Sequence, residues 1–381
     1  MKTLNAIRLK GNIDRRVSLD ISEGRVGGAV VLVMQNGETV YKQCFGTTVP
    51  NGDVPVGEDT IFRLASMTKP ITAIAALIAV ERGLIGLDDP ISKYLPMFSE
   101  MQIAELTADR QPKIIGTAKT PITIRHILCH ASGIGCTELG YHYLAQMTDE
   151  ELAALSASVD AYAKMPLSFE PYSRQAYSPT AAFDVLARII EIVTGEEYGA
   201  FLQREIFAPC EMKDTTFSPS PAQWARLIAK HDYQDGKATV APTREGCVFE
   251  NYPTTHALAG AGLVSTIHDY KNFASMLLDG GVFKGRRIVS KSSIDQMATP
   301  QIYDPLQKGR SLWGLGVRVI VDEKDVLPLG TFGWSGAYGT HFWVDRENKI
   351  AAIYLKNSAY DGGSGAKTAY HLEEDVYSAI S

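Results

Sequence analysis

Two side chains in the first third of the chain could together activate a hydroxyl group. Ser66 and Lys69 are three residues apart, so both project from one face of a helical turn. At the start of a helix the Ser66 N–H is among the backbone donors that lack a helical partner, and it can hold an oxyanion. A lysine buried beside a hydroxyl loses its proton more readily and then acts as a base. The pair therefore predicts a nucleophilic serine that forms an acyl-enzyme.

The residues that follow this pair supply the helix that such chemistry needs. Residues 71–80 are apolar on nearly every side, which predicts a buried helix with a rigid first turn that ends at Gly83. The spacing S-x-x-K is weak evidence by itself, because it recurs at Ser364 and Lys367. That second match lies in a glycine-rich stretch with no predicted helix after it, so a solvated loop is expected there.

Several segments occur in the order in which a known superfamily carries its landmarks. The segments are residues 62–69 (F-R-L-A-S-M-T-K), 123–133 (T-I-R-H-I-L-C-H-A-S-G), 177–178 with 184–186, 205–217, and 333–340 (G-W-S-G-A-Y-G-T). They resemble the landmarks of the serine β-lactamase and penicillin-binding protein superfamily, in its class C-like branch, and the resemblance spans about residues 25–360.

The resemblance implies roles for individual residues. Ser66 would be the acylated nucleophile, and Lys69 would deprotonate it or hold down the pKa of the base. Tyr177 would exchange protons with Ser66 and the leaving group. The backbone N–H groups of Ser66 and Ala337 would form the oxyanion hole. The expected substrate-binding residues are Trp334, Ser335, Gly336, Tyr338 and Trp313.

Two departures from the superfamily's motifs favour esters over lactams and peptides. The asparagine position after Tyr177 holds Pro179, which has no side-chain amide for an amide substrate. Trp334 stands where the lysine of K-T-G would pair with a carboxylate, and its indole offers an apolar wall and one N–H donor instead. Both changes are similar to the pattern of the family VIII carboxylesterases. A literal Y-x-N begins at Tyr270, but that tyrosine lies within a predicted helix and is interpreted as scaffold.

Periodicity predicts strands near both ends of the chain and helices between them. Asn36-Gly37 is a type I′ hairpin signal between the first two strands, and short polar turns between the last three imply antiparallel neighbours. The predicted strands are residues 29–34, 39–45, 314–321, 337–344 and 349–355. The predicted helices, besides the one after Lys69, are residues 123–128, 181–193 and 269–278.

These elements predict an α/β fold of the α+β type, similar to β-lactamases and transpeptidases. One antiparallel sheet, built from both chain termini and flanked by helices, would occupy residues 1–87 and 253–381. A mainly helical inserted domain would occupy residues 88–252, with the active site in the cleft between the two parts.

Composition and charge exclude several classes of protein. Hydrophobic residues are 45% and charged residues 21%, which is typical of a globular chain. The net charge of −6 argues against a nucleic-acid binder. The longest apolar run, residues 71–80, is too short to cross a membrane, and residues 1–16 lack the apolar core of a signal peptide. Five cysteines without a C-x-x-C motif predict reduced thiols, and together these features predict a cytoplasmic protein.

No motif in the sequence calls for a metal or a cofactor. His126 and His130 are four residues apart, but no third ligand accompanies them, so they are interpreted as structural. The nucleophile elbow G-x-S-x-G and the nucleotide-binding glycine motifs are missing. The expected partner is a small-molecule ester or amide substrate, and the sequence makes no prediction about oligomeric state.

The sequence therefore predicts a serine hydrolase that acts as a carboxylesterase on small esters. One alternative uses the same chemistry as an amidase or peptidase for D-amino-acid substrates, or as a weak β-lactamase. The other alternative is a catalytically inactive relative that binds a ligand, which Pro179 alone motivates.

Overall fold

The computed structural model describes residues 2–241, 256–302, 309–363 and 365–381. The strands are β1 (Gly28–Gln35), β2 (Glu38–Gly46), β3 (Phe62–Arg63), β4 (Gln102–Leu106), β5 (Pro112–Thr117), β6 (His231–Gln234), β7 (Lys237–Val240), β8 (Val264–Ser265), β9 (Val282–Phe283), β10 (Arg286–Arg287), β11 (Ser311–Trp313), β12 (Arg318–Ile320), β13 (Phe332–Ser335), β14 (His341–Asp345) and β15 (Ile350–Lys356).

Helices connect and cover these strands. The α-helices are α1 (Ala6–Ser22), α2 (Thr68–Glu81), α3 (Ile124–Leu128), α4 (Thr137–Leu144), α5 (Leu155–Tyr162), α6 (Ala181–Thr194), α7 (Tyr198–Leu202), α8 (Pro221–Trp224), α9 (Ile267–Leu278), α10 (Lys291–Met297) and α11 (Lys367–Tyr377). Short 3₁₀ helices lie at Ala65–Met67, Ile91–Lys93 and Pro96–Phe98, and a π-helical turn lies at Gln203–Phe207.

A seven-stranded antiparallel sheet joins the two ends of the chain. Its strand order is β11-β12-β13-β14-β15-β1-β2, so an N-terminal strand, β1, pairs with a C-terminal strand, β15. Asn36 and Gly37 have φ angles of 53° and 83°, as the predicted type I′ turn between β1 and β2 requires. The predicted α+β fold, with one antiparallel sheet built from both chain ends and flanked by helices, is confirmed.

Helices bury both faces of this sheet. On one face α1 and α11 pack together over an apolar layer that includes Ile13, Val31 and Val376. On the other face a larger core gathers α2, α6 and α9. The apolar run predicted as a buried helix is α2, whose residues from Thr68 to Ala79 are all buried. The helix that follows Ser66 is therefore held from all sides.

Two predicted strands near the C-terminus are wrong in their first halves. Instead of one strand over residues 314–321, the Gly314 N–H donates to the Val317 carbonyl in a tight turn that leads into β12. Instead of one strand over residues 337–344, a turn over residues 336–340 joins β13 to β14. Glycines inside apolar, aromatic-rich runs form these turns, and the strand pattern of the neighbours concealed them.

The helices at the two ends of the chain were not predicted, since both ends were interpreted as strand. α1 carries Leu9, Ile13 and Val17 on its buried face at helical spacing. α11 begins at Lys367, so the expectation that no helix follows the second S-x-x-K match is wrong, while Ser364 itself lies outside the described residues. The carboxylate that caps α11 comes from Asp361, too far upstream for a local pattern to show it.

Some predictions concern parts of the chain that the structure does not describe. The predicted end of the inserted domain, residue 252, lies outside the described residues, so the division at that point stays a prediction. Cys44, Cys129, Cys136 and Cys210 are free thiols, and Cys247 also lies outside the described residues. Of the helices in the described ranges, none has both the length and the apolar character that crossing a membrane requires.

Candidate active site

Ser66 lies in the 3₁₀ turn Ala65–Met67, which leads directly into α2. The residue before it, Ala65, has a φ of 47°, a left-handed conformation that is strained for a residue with a side chain. Buried contacts hold the turn in place. The Tyr270 hydroxyl donates to the Met67 carbonyl at 3.0 Å. Tyr270 is therefore part of the support beneath Ser66, and the half-buried Ser66 side chain is presented on a rigid turn.

The Lys69 side chain points from the first turn of α2 toward Ser66 and is completely buried. Its Nζ lies 3.5 Å from Ser66 Oγ, and it donates to the carbonyls of Pro179 at 2.6 Å and Gly260 at 2.7 Å. Burial lowers the pKa of the Lys69 amine to about 7, although the charge of Asp184 acts in the opposite direction. The charge of Lys69 therefore changes around neutral pH.

Tyr177 contacts Ser66 from the other side. Its hydroxyl lies 2.6 Å from Ser66 Oγ and donates to it, and the Trp334 Nε1–H donates to the same hydroxyl at 3.4 Å. Burial raises the pKa of Tyr177 to about 12, while the hydrogen bonds with Ser66 and Trp334 oppose that rise. The phenol is therefore protonated at neutral pH. The structure therefore brings the Lys69 amine and the Tyr177 hydroxyl within hydrogen-bond range of Ser66 Oγ.

An aromatic wall surrounds the Tyr177 ring. Trp313 stacks on it with ring centroids 5.7 Å apart, and Trp334 lies 5.4 Å away. The two indoles contact each other edge to face at 4.5 Å. Arg318, from β12, places its guanidinium 4.9 Å from the Trp313 ring and 5.8 Å from the Trp334 ring. Both of these predicted substrate-binding tryptophans are buried, and they pack around the Tyr177 ring.

The end of β13 and the turn after it lie against the segment that carries Ser66. β12 pairs only with Phe332 and Gly333, so residues 334–336 have no strand partner on that side among the described residues. The turn that follows presents Ala337, which is exposed. The Thr340 hydroxyl donates to the Leu64 carbonyl at 2.9 Å and so ties this turn to the segment that carries Ser66.

The other predicted binding residues on this segment have different surroundings. The Ser335 hydroxyl forms a hydrogen bond with His341 Nδ1 at 2.8 Å, and His341 Nε2 lies 3.3 Å from a Glu373 oxygen. The hydrogen bond of this hydroxyl is therefore to His341 and not to Ser66. Tyr338 is buried, with the Lys230 ammonium 5.5 Å from its ring. Gly336 is buried against the Leu64 carbonyl, which a Cβ at that position would approach to 2.2 Å.

Sequence reasoning missed two residues that support the site. Asp184, fully buried in α6, accepts from the Ala259 N–H at 2.8 Å and so fixes the segment whose Gly260 carbonyl receives Lys69. Burial raises the pKa of Asp184 to about 7, against the hydrogen bond from Tyr162, the backbone donors and the charge of Lys69. An acidic residue on the apolar face of a predicted helix was the available signal.

The second missed residue is His130, which was predicted to be structural without a named contact. Its Nδ1 accepts from the Ser178 N–H at 3.1 Å, and its ring lies 4.6 Å from the Tyr177 ring. Burial holds the pKa of His130 well below the usual value, so the imidazole is neutral. His130 therefore fixes the orientation of Tyr177. In the ranges that the structure describes, no group of three or more His, Cys, Asp or Glu side chains is arranged to hold a metal ion.

Comparisons with known proteins place this geometry in context. Residues 10–376 match the protein-family model described as Beta-lactamase. Esterase EstB of Burkholderia gladioli is 30% identical over 403 aligned residues, which cover 98% of this chain and 97% of the relative. The lovastatin esterase of Penicillium rubens is 26% identical and covers 97% of this chain and 98% of its own length.

Solved structures with similar folds agree with these sequence matches. A protein described as "EstCE1, a hydrolase with promiscuous acyltransferase activity" has a TM-score of 0.82 and 25% sequence identity, covering 98% of this chain and 99% of that one. An octameric penicillin-binding protein homologue from Pyrococcus abyssi has a TM-score of 0.72 at 22% identity, covering 95% of this chain and 75% of that one, and shows the fold alone.

Proposed function

Because the chain belongs to the β-lactamase family and is a serine hydrolase of that family, we propose that it is a carboxylesterase that acts on small-molecule esters. The proposed nucleophile is Ser66. The observation that carries this proposal is the position of its Oγ, 2.6 Å from the Tyr177 hydroxyl and 3.5 Å from the Lys69 amine.

The hydrogen bonds of Lys69 support its role as the base. A neutral amine has two N–H donors and one lone pair. The carbonyls of Pro179 and Gly260 accept from the two donors, which leaves the lone pair for the Ser66 hydroxyl. Because the pKa of Lys69 is lowered by burial to about 7, this neutral form is available near neutral pH.

In the proposed acylation step, Ser66 Oγ forms a bond to the ester carbonyl carbon while its proton passes to Lys69. The N–H groups of Ser66 and Ala337 hold the oxyanion. When the C–O bond to the alcohol breaks, Tyr177 protonates the leaving alkoxide, which is a stronger base than a phenolate, and the proton on Lys69 restores the phenol. In deacylation, the neutral Lys69 accepts the Tyr177 proton while Tyr177 takes one from the attacking water. When the bond between the acyl carbon and Ser66 Oγ breaks, Tyr177 protonates Ser66 Oγ and Lys69 returns its proton to Tyr177.

The surroundings of this triad favour esters over lactams and peptides. Trp334 presents an indole, not an ammonium group, beside Tyr177, so the side chain at this position offers no ion pair to the carboxylate of a lactam or a peptide. Pro179 supplies only its carbonyl, and Lys69 already occupies it. Two of the relatives are named esterases, in agreement with this preference.

The test is turnover of p-nitrophenyl acetate and butyrate beside a chromogenic cephalosporin and a peptide ending in two D-alanines. The proposal predicts ester hydrolysis with little lactam or peptide turnover. Ser66→Ala should abolish ester hydrolysis while the protein stays folded, because alanine is no larger than serine. Preferential lactam or D-peptide turnover would favour the amidase, peptidase or β-lactamase alternative. A folded protein that turns over none of these substrates would favour the ligand-binding alternative.

A cytoplasmic location is a further part of this proposal. The described cysteines are all unpaired, as a reducing compartment favours. Fractionation of the producing cells should recover the protein with the cytoplasmic marker enzymes, and recovery from the culture medium would contradict this assignment.

A further inference from the structure

The peptide group between Gly336 and Ala337 has a fixed orientation. The Gly336 carbonyl accepts two backbone hydrogen bonds, from the Gly339 N–H at 2.9 Å and from the Gly363 N–H at 2.9 Å. In a planar trans peptide the carbonyl and the following N–H point in opposite directions. The Ala337 N–H therefore points away from residues 339 and 363, and no acceptor for it occurs among the described residues. The loop that contains Gly363 thus supplies one of the two hydrogen bonds that fix the direction of this N–H.

That loop, residues 357–363, contacts the turn over residues 336–340 at several points. The Ser358 N–H donates to the Tyr338 carbonyl at 2.7 Å. Gly362 lies so close to the Ala337 carbonyl that a Cβ on it would be 2.0 Å from that oxygen. The loop is therefore the backing against which the Ala337 peptide is held.

A buried lysine underlies both segments. Lys356, the last residue of β15, has no exposed surface. Its Nζ donates to the Asp361 carbonyl at 2.6 Å and to Asp361 Oδ2 at 2.9 Å. On the turn, Gly339 lies directly over it, since a Cβ there would approach Lys356 Cε to 2.3 Å. One side chain thus touches the loop and the turn together.

Asp361 links this lysine to α11. Its Oδ1 accepts from the Lys367 N–H at 2.9 Å, and its Oδ2 accepts from the Thr368 hydroxyl at 2.7 Å. Burial alone would raise the pKa of Asp361, but the charge of Lys356 and the hydrogen bonds from Thr368 lower it to about 2. The carboxylate is therefore ionised at neutral pH, while burial lowers the pKa of the Lys356 amine and the charge of Asp361 opposes that change.

We propose that the buried Lys356–Asp361 ion pair is a positioning element for catalysis, which holds loop 357–363 so that the Ala337 N–H is directed into the oxyanion hole. This inference rests on the proposed function, because it assigns Ala337 to the oxyanion hole. The Lys356 side chain is fully buried and that of Asp361 is 16% exposed, so we place the effect of both groups in the loop and not in contact with the substrate. A buried pair of this kind is otherwise a weak source of stability, because desolvation of both charges offsets their attraction.

The test compares Lys356→Met with Arg16→Met. Methionine keeps the length and packing of the lysine stem without the charge. Arg16 is the matched control, because it pairs with Asp375 at 3.0 Å and so ties the same helix, α11, to α1, with no contact to the loop. For each variant, kcat and KM on p-nitrophenyl butyrate are measured, together with hydrogen–deuterium exchange of residues 336–340 and 357–363.

Lys356→Met should lower kcat about tenfold to a hundredfold with KM nearly unchanged, because the oxyanion forms only in the transition state. Exchange in both segments should rise. Arg16→Met should lower the Tm without changing kcat or that exchange. An unchanged kcat in Lys356→Met, or an equal loss in Arg16→Met, would overturn the inference.

A second variant and the exchange measurement keep the test decisive if Lys356→Met does not fold or if the wild type is inactive. If Lys356→Met does not fold, Asp361→Asn removes only the charge and keeps an oxygen that can accept from α11, and it should show a smaller loss in kcat with the same rise in exchange. If the wild-type protein hydrolyses no ester, the proposed function fails by itself. The exchange measurement then decides whether the pair holds the turn: raised exchange supports the holding role, and unchanged exchange overturns it.

Discussion

The residues around Ser66 divide the work of proton transfer by their environments. Lys69 is an amine with its pKa lowered to about 7 by burial, and Tyr177 is a phenol with its pKa raised to about 12, also by burial. The first group is therefore ready to accept a proton near neutral pH, and the second is ready to donate one. This separation lets two neighbours of one oxygen act as base and acid.

The charge state of Lys69 should control the pH dependence of the reaction. Below about pH 7 the amine is protonated and cannot accept the proton of Ser66, so kcat/KM for p-nitrophenyl butyrate should rise through an inflection near pH 7 and then level off. Lys69→Arg should remove activity at every pH, because a guanidinium does not lose its proton in proteins. A profile that is flat from pH 5 to 9 would show that Lys69 is not the base.

The same lowered pKa has a consequence for stability. In the unfolded chain Lys69 has its ordinary pKa of 10.5, so between about pH 7 and 10.5 the unfolded state binds more protons than the folded state. The free energy of unfolding should therefore increase with pH across this window, by up to about 1.4 kcal/mol per pH unit. Lys69→Met lacks this contribution. Urea unfolding of both proteins at pH 8 and pH 10 should show that the free energy of unfolding increases more in the wild type than in the variant. An equal change in the two proteins would contradict the lowered pKa of Lys69.

A pair of tyrosine variants tests which hydroxyl takes part in the chemistry. Tyr177→Phe should reduce kcat by about 10² to 10⁴, because it removes the proton donor 2.6 Å from Ser66. Tyr270→Phe removes only the hydrogen bond to the Met67 carbonyl, so it should lower stability by about 1–3 kcal/mol and leave most of kcat. Stopped-flow acylation rates and thermal melts separate the two effects. The reverse pattern would show that Tyr270, the tyrosine of the literal Y-x-N, is the functional one.

At this scale the sequence was most informative where the chemistry is local. Ser66 and Lys69 are close because three residues of helical turn bring them together, and that spacing is visible in the sequence. Tyr177 is distant in sequence and was placed only through the resemblance to a family. Asp184 and His130 act through backbone groups of Ala259 and Ser178, and backbone contacts between distant segments leave no residue pattern.

At the scale of elements, the predictions were good for regular periodicity and poor for turns. α6 and α9 appear close to their predicted bounds because their apolar residues recur at helical spacing. The turn at residues 336–340 was predicted as strand, because its aromatic and β-branched neighbours conceal the glycines that bend the chain. That turn is also the element that presents Ala337, so the least predictable element bears directly on the proposed chemistry.

Gly336 is the position at which this turn should tolerate no side chain. A Cβ there would lie 2.1 Å from Thr340 Oγ1 and 2.2 Å from the Leu64 carbonyl, so Gly336→Ala must push the turn away from the Ser66 segment. We expect kcat to fall by about 10² or more, as for loss of an oxyanion donor. Gly116→Ala is the matched control, because a Cβ there meets nothing within 4 Å, and it should keep full activity. Equal kcat values for the two variants would contradict this packing.

At the scale of the whole molecule, the sheet depends on strands from both ends of the chain. β1 and β2 come from the N-terminal part of the chain and β11 to β15 from the C-terminal part, so the pairing of β1 with β15 joins segments that are distant in sequence. The sequence predicted this arrangement from strand patterns alone. It did not predict that α1 and α11 would cover the outer face together, because both chain ends were interpreted as strand.

The two ends of the chain are adjacent, and this makes a test of the architecture possible. The Ser381 N–H donates to the Thr3 carbonyl at 3.0 Å, and Leu4 bridges to Ile380. A circular permutant that joins these ends by a short glycine linker and opens the exposed tip between β4 and β5, at Asp109–Arg110, should keep every contact of the sheet and the site. It should therefore retain kcat/KM within about threefold and a single cooperative thermal transition.

A second permutant supplies the contrast. Opening the chain within residues 336–340 leaves the same linker and the same composition but cuts the turn that connects β13 to β14 and presents Ala337. It should fold less stably and lose ester turnover, because the cut peptide is no longer held between the Leu64 and Gly363 segments. If the first permutant failed to fold, pairing of β1 with β15 would depend on the native chain order. If the second stayed active, the turn would not position the oxyanion hole.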